Sequence, residues 1–414
     1  MDLDAYRARA QAFATELNRA HHRRFAGLDG AWDPGELYAR HAPELFDPAT
    51  IEALREAAAT DPDPTGPVRR LLRFAVEARL GAITADADAE RAAAETEEDL
   101  AGLTAALARA ADLGARVALE EQRLDVVTRR LTAPAADALE RVRTEARNLG
   151  WPSARAMLSS LHAIDLGALG AQAETLLRAT APPALAPEGA TARFDLPRLH
   201  RAAWADPLLP ADPVAHLRAT LTELGLPERF VLDVAARPGK SPRAFCAAVH
   251  VPDEVHLVVA PRGGLADLEA LFHEAGHAVH LTHRPRDAPF EDRHLGDRVQ
   301  AEALAFALEA RATDGLAGPE GDARLQRHRG VLATLRLRLI AATLLHNLDL
   351  LDAGPHPVLR ERYARRMAAA TGLTWPAAPW LAGVDPLLAC ADYLRALGRV
   401  QAWRKDELPA ALIL

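Results

Sequence analysis

His273-Glu274-Ala275-Gly276-His277 sets two imidazoles and a carboxylate within about one turn of chain. The histidines are four residues apart, so on a helix they project from nearly one face and both can reach one metal ion. Glu274 stands beside them, placed to take a proton from water at that ion. Leu265, Leu268, Leu271, Phe272, Ala275 and Val279 recur mostly at three- and four-residue steps. That spacing predicts an amphipathic helix with the five residues in its middle.

Catalytic zinc takes three protein ligands and keeps a fourth position open. The third ligand is a carboxylate or another histidine. His283 falls at the last step of the longer H-E-x-x-H-x-x-G-x-x-H form, but His280 stands where that form has its glycine. Without the glycine the helix is not expected to break in time for His283 to swing back. Downstream, Val299–Glu309 predicts a second, largely apolar helix on which Glu302 and Glu309 share a face two turns apart. A carboxylate among apolar neighbours needs a partner or a metal, because burying it alone is costly. Glu302 is therefore the expected third ligand, and Glu309 the expected acceptor that orients a ligating imidazole. The competing reading puts both glutamates on a solvated edge or against Arg298 and Arg311. His280 lies seven residues from His273 and is expected to support the site rather than bind metal.

Other elements must hold these residues. Phe245–His250 and Val255–Ala260 read as short strands, and Val251-Pro252-Asp253-Glu254 between them predicts a hairpin. Pro261 and Gly263-Gly264 then turn the chain into the metal helix. A strand edge there either binds an extended peptide through main-chain hydrogen bonds or simply supports the helix. Arg237-Pro238-Gly239-Lys240 reads as a plain turn, with an anion cradle as the alternative.

Residues 1–180 read as a helical half, broken at Asp61–Pro67, with one long helical stretch over Asp86–Arg130. Within that stretch Glu95-Thr96-Glu97-Glu98-Asp99 reads as a solvated helix face rather than a substrate patch. Residues 181–191 form a Pro-rich linker, and 192–414 the half that carries the metal residues. Helices are expected again over Val331–Leu351 and Leu387–Trp403. Tyr393 and Arg395 are the candidates there for stabilising an oxyanion, with packing or a salt bridge as the plainer role of each.

Apolar residues make up 49% of the 414 and aromatics 5%, the balance of a helical protein. The net charge of -8 speaks against a broad nucleic-acid or anionic-membrane surface. No basic-then-apolar leader opens the sequence, and no apolar run reaches the length of a membrane span. Cys246 and Cys390 lack metal-knuckle spacing and are expected to be reduced and packed. A cytoplasmic protein is the expectation; the oligomeric state is not legible.

Between Leu232 and Glu309 the sequence resembles the thimet oligopeptidase and oligopeptidase F family of zinc peptidases. The segment Leu271–His280 follows the family's helix, including the glycine before the second histidine and a histidine three residues after it. Glu302, twenty-five residues beyond His277, falls where the family's third ligand lies, and Glu309 matches a second family glutamate. Asp233, Arg237, Gly239 and Lys240 resemble the segment ahead of its substrate-side strand. Arg147-Asn148-Leu149-Gly150-Trp151 is similar to a helical stretch shared with the angiotensin-converting-enzyme and carboxypeptidase Taq relatives. The resemblance implies a mainly α, two-lobed, zincin-like metallopeptidase of gluzincin type, with a small β-ribbon beside the metal helix and a deep cleft. It also implies one Zn²⁺ per chain and short peptide substrates. Two departures stand out. Leu304-Ala305-Phe306 replaces a Pro-Ser-Gln-type tripeptide, and Leu387–Ala396 carries one tyrosine where the family is tyrosine-rich. They motivate two alternatives: a zinc-binding or scaffold protein without turnover, or a specialised amidase.

Overall fold

The computed structural model describes residues 1–28, 33–61, 63, 66–97, 100–185, 189–316 and 319–402. It is mainly helical, with a single small sheet among the described residues. Helix starts follow directly from the sequence. Three helices open on Asp-Pro, at Asp33-Pro34, Asp47-Pro48 and Asp212-Pro213. Each aspartate accepts from a backbone N–H of the first turn, and proline loses nothing at a position whose N–H has no intrahelical partner.

The chain forms two compact units, each discontinuous in sequence. The first takes Met1–Arg79, Ala203–Asp322 and the chain from Arg395 onward. The second takes Leu80–Ala202 and Ala323–Leu394, and the described part of the Pro-rich stretch lies inside it. The helical stretch expected over Asp86–Arg130 is interrupted: helices run Pro67–Glu97, Leu100–Arg109 and Leu113–Val126. Asp112 causes the last restart by capping Ala115 N–H at 2.8 Å. The side chains of the acidic run Glu95–Asp99 lie outside the described residues.

In the second unit the helix Pro319–Ala353 includes a segment, Ala323–Ala353, long and apolar enough by composition to cross a membrane, which the sequence reading did not anticipate. Half of its most apolar window is buried in the fold. Arg338 within it is 2% exposed and donates to the carbonyl oxygens of Ala370 at 2.7 Å and Leu177 at 3.1 Å. A buried arginine bonded to neighbouring chain is the mark of a packed core helix.

In the first unit the sheet has three strands, β1 (Val231–Asp233), β2 (Phe245–His250) and β3 (Glu254–Val258), in the order β1-β3-β2. β2 and β3 form the expected antiparallel hairpin. β1 adds a parallel partner, pairing Val231 with His256 and Asp233 with Val258. The loop after β1 is tied to Asp233: Arg237 reaches its carboxylate at 2.6 Å and Lys240 at 3.1 Å. Lys240 also donates to the carbonyls of Asp233 and Ala235, so the Arg237–Lys240 segment is a braced turn.

The motif helix, Leu265–Thr282, packs on this sheet, and the glutamate helix, Arg298–Ala310, packs on the motif helix. Leu268, Leu271, Phe272, Ala275 and Val279 of the motif helix enter a core shared with Leu257 of β3 and with Leu304 and Leu308. The apolar stripe read from sequence is therefore the face that fixes the helix, and it leaves His273, Glu274 and His277 on another face. Asp297 starts the glutamate helix by accepting from Val299 N–H at 2.9 Å.

Candidate metal centre

Where the two helices cross, Gly276 lies against Ala305. A Cβ on Gly276 would stand 2.6 Å from the Ala305 Cα, closer than any side chain tolerates. The missing side chain lets the backbones approach, and that approach brings the glutamates to the histidines. His273 Nε2 lies 3.5 Å from Glu302 Oε2, and His277 Nε2 lies 3.7 Å from Glu302 Oε1. The ligand atoms of His273, His277 and Glu302 all lie within 4.8 Å of one another.

These separations are long for hydrogen bonds. They approach the roughly 3.3 Å between donors that sit 2.0–2.2 Å from one tetrahedral ion. Glu302 Oε2 is buried without a hydrogen-bond partner, an arrangement that is costly unless a cation satisfies it. Two imidazoles and a carboxylate are a donor set that suits zinc. The residues fit the ion.

Glu309, two turns further along, accepts from His273 Nδ1 at 3.0 Å. This bond directs Nε2 towards Glu302, and the Phe306 ring packs on the same imidazole at 5.0 Å between centroids. Burial works against charge on His273, but the nearby carboxylates of Glu302 and Glu309 prevail and raise its pKa to about 9. His277 is pulled down to about 4 by burial, so its imidazole is neutral and its lone pair available at pH 7. Replacing Glu309 by alanine frees the His273 ring, and zinc affinity is expected to fall about 10–100-fold. A competition titration against a chelating dye checks this; an unchanged affinity would remove Glu309 from the site.

Glu274 is not part of the three-residue group. Burial, reinforced by the charge of Glu302, raises its pKa to about 7, against the opposing influence of His273 and a bond from the Cys246 N–H. That bond ties Glu274 to the edge strand β2. On the same edge the Ala248 carbonyl accepts from Asn18 at 2.9 Å. Two of the main-chain groups that an added strand would need are thus already engaged.

The other residues singled out from sequence are not part of the three-residue group. His283 bonds the Val279 carbonyl through Nδ1 at 2.7 Å. His280 is 4% exposed and accepts from Arg284. Tyr393 and Arg395 lie on the helix Ala389–Ala402; Tyr393 belongs to the second unit, and Arg395 does not line the cavity described next. Both cysteines are free, and burial raises the Cys390 thiol to about 12. Glu274, His277 and Glu302 open onto a cavity of about 320 Å³ within the first unit, walled also by Cys246, His280 and Arg284.

Known structures share this architecture. An oligoendopeptidase F assigned from Bacillus anthracis str. Ames superposes with a TM-score of 0.59 over 97% of this chain and 82% of its own, at 13% identity. The chain has the oligoendopeptidase F fold. A second structure described as oligoendopeptidase F gives a TM-score of 0.57 over 99% of this chain and 79% of its own, at 14% identity. A protein assigned as a peptidase from Chlamydophila abortus gives 0.54 over 97% and 82%, at 12% identity. No protein-family model and no curated protein matches the sequence.

Proposed function

We propose that the chain is a zinc-dependent peptidase of the oligopeptidase F type, acting on short peptides. The observation that carries this reading is the convergence of His273, His277 and Glu302 around one point, with Glu274 on the same cavity wall. The likeness to structures described as oligoendopeptidase F supports it.

Zinc, when bound, acidifies water and polarises the scissile carbonyl. His273, His277 and Glu302 would hold the ion. Glu309 keeps the His273 ring in register. Glu274 acts as the base: its carboxylate takes the proton as water attacks and returns it to the leaving amine. Its environment suits both steps, since a carboxyl raised towards neutrality accepts and releases a proton near physiological pH. The bond from Cys246 N–H fixes its position against the sheet. A purely structural zinc site closes its fourth position with protein; here two of the ligand residues, His277 and Glu302, and the base Glu274 face an open cavity.

The test is a mixed library of short peptides incubated with zinc-loaded and with chelator-stripped protein, read by mass spectrometry. Zinc-dependent cleavage at defined bonds is the expected result. Stoichiometric zinc with no cleaved peptide overturns the reading and favours a zinc-binding protein without turnover.

A further inference from the structure

The cavity has a second polar wall, which the proposed hydrolysis does not use. Arg284, Arg293 and Arg298 line it. Two of the three are committed to structure. Arg293 donates to the carbonyls of Ala288 at 2.8 Å and Val251 at 2.9 Å and to Gln11 at 3.1 Å. Arg298 pairs with Glu77 at 2.5 Å.

Arg284 is placed differently. It donates to His280 Nε2 at 2.5 Å and pairs with no carboxylate among the described residues. The carboxylates whose charges act on it, Asp292 and Asp297, are engaged elsewhere. Asp292 is held by Arg70; Asp297 caps the glutamate helix and binds Arg399 at 3.0 Å. Arg284 Nε is buried without a partner, and so is His280 Nδ1. A guanidinium is always a donor, so His280 Nε2 must be the acceptor and its ring proton sits on Nδ1. The two open atoms are therefore both donors. Gly296 leaves space for this arrangement, since a Cβ there would stand 2.8 Å from Arg284 Nη2.

A half-buried arginine paired with no carboxylate among the described residues, in the wall of the cavity onto which His277 and Glu302 open, is a receptor for an anion. We propose that Arg284, positioned by His280, binds a carboxylate of the substrate and so sets which peptides the site accepts. The carboxylate is either the free C-terminus or an acidic side chain next to the scissile bond. The inference rests on the peptidase reading for the identity of the ligand.

The experiment uses zinc-loaded Glu274→Gln protein and three peptides of equal length: one amidated and neutral, one amidated with a central glutamate, one neutral with a free C-terminus. Calorimetry should show one of the two carboxylate peptides binding about tenfold or more tighter than the neutral amide. Which one wins identifies the source. Arg284→Met should abolish the preference, and Arg284→Lys, which keeps charge but loses the planar fork, should retain part of it. Equal affinities for all three peptides in the Glu274→Gln protein, or a preference that survives Arg284→Met in protein of unchanged circular dichroism and zinc content, overturn the proposal. A separate arm titrates N-acetylglutamate into metal-free protein and follows arginine Nε–H signals by NMR. A shift lost in Arg284→Met, with no peptide bound, keeps the carboxylate site and sinks the peptidase reading. Peptide binding without discrimination does the reverse.

Discussion

Glu274→Gln is expected to lower the rate of peptide cleavage by about 10²–10⁴-fold, the usual contribution of a positioned general base, with zinc content unchanged. The substitution keeps the size of the side chain, and its amide oxygen can still accept from the Cys246 N–H that now fixes the carboxylate. It removes only the capacity to take a proton. Because Glu274 is outside the His273–His277–Glu302 group, the ion should bind as before. A stability signature should accompany the loss. In metal-free protein the folded carboxyl titrates at about 7, above its unfolded value of 4.5. The folded state thus holds a proton that the unfolded state has released, and the parent loses stability as pH rises from about 4.5 through about 7. The glutamine variant escapes that loss, so its advantage in denaturant midpoint should be absent at pH 4 and present at pH 8. Cleavage within threefold of the parent at equal zinc occupancy would show that another group is the base.

Local geometry explains what the sequence disclosed about this site. Two histidines four apart and two glutamates seven apart share helix faces whatever the rest of the chain does, and the structure places all four side chains together. Asp-Pro and the Gly263-Gly264 turn likewise act within a few residues. Contacts set by distant segments were not legible. β1 escapes notice because its partner, β3, lies more than twenty residues further along, and three residues carry too little pattern to announce a strand. The isolation of Arg284 depends on Asp292 and Asp297 being occupied by Arg70 and Arg399, four positions spread over the chain. Its position four residues after His280 is the one local signal of their contact. Leu304-Ala305-Phe306 stood out only as a departure from the family tripeptide. In the fold Ala305 meets Gly276 and Phe306 packs on His273.

That crossing leaves Gly276 no room for a side chain. Gly276→Ala is expected to destabilise the protein by about 1–3 kcal/mol, the range for forcing extra volume into a packed core, and Gly276→Val by more. The reason is what the added carbon meets. Its nearest atoms are the Ala305 Cα at 2.6 Å, the Ala305 nitrogen at 3.2 Å and the Leu304 oxygen at 3.2 Å, all backbone. No rotamer change relieves such a contact, so the helices must move apart. Glu302 lies one turn from Ala305 and moves with it, while His273 and His277 stay with the motif helix. The three donors then lose the spacing that one ion requires, and zinc affinity should fall about tenfold or more, since such sites tolerate misplacement of only about 0.5 Å. The backbone origin of the contact gives a sharper check. Ala305→Gly removes a methyl but leaves the Cα and nitrogen in place, so it should not restore zinc affinity in the Gly276→Ala background. A full rescue would show that side-chain bulk, rather than the approach of two backbones, sets the distance between the helices. Parent-like thermal stability and zinc affinity in Gly276→Ala would mean that the crossing does not govern the metal centre at all.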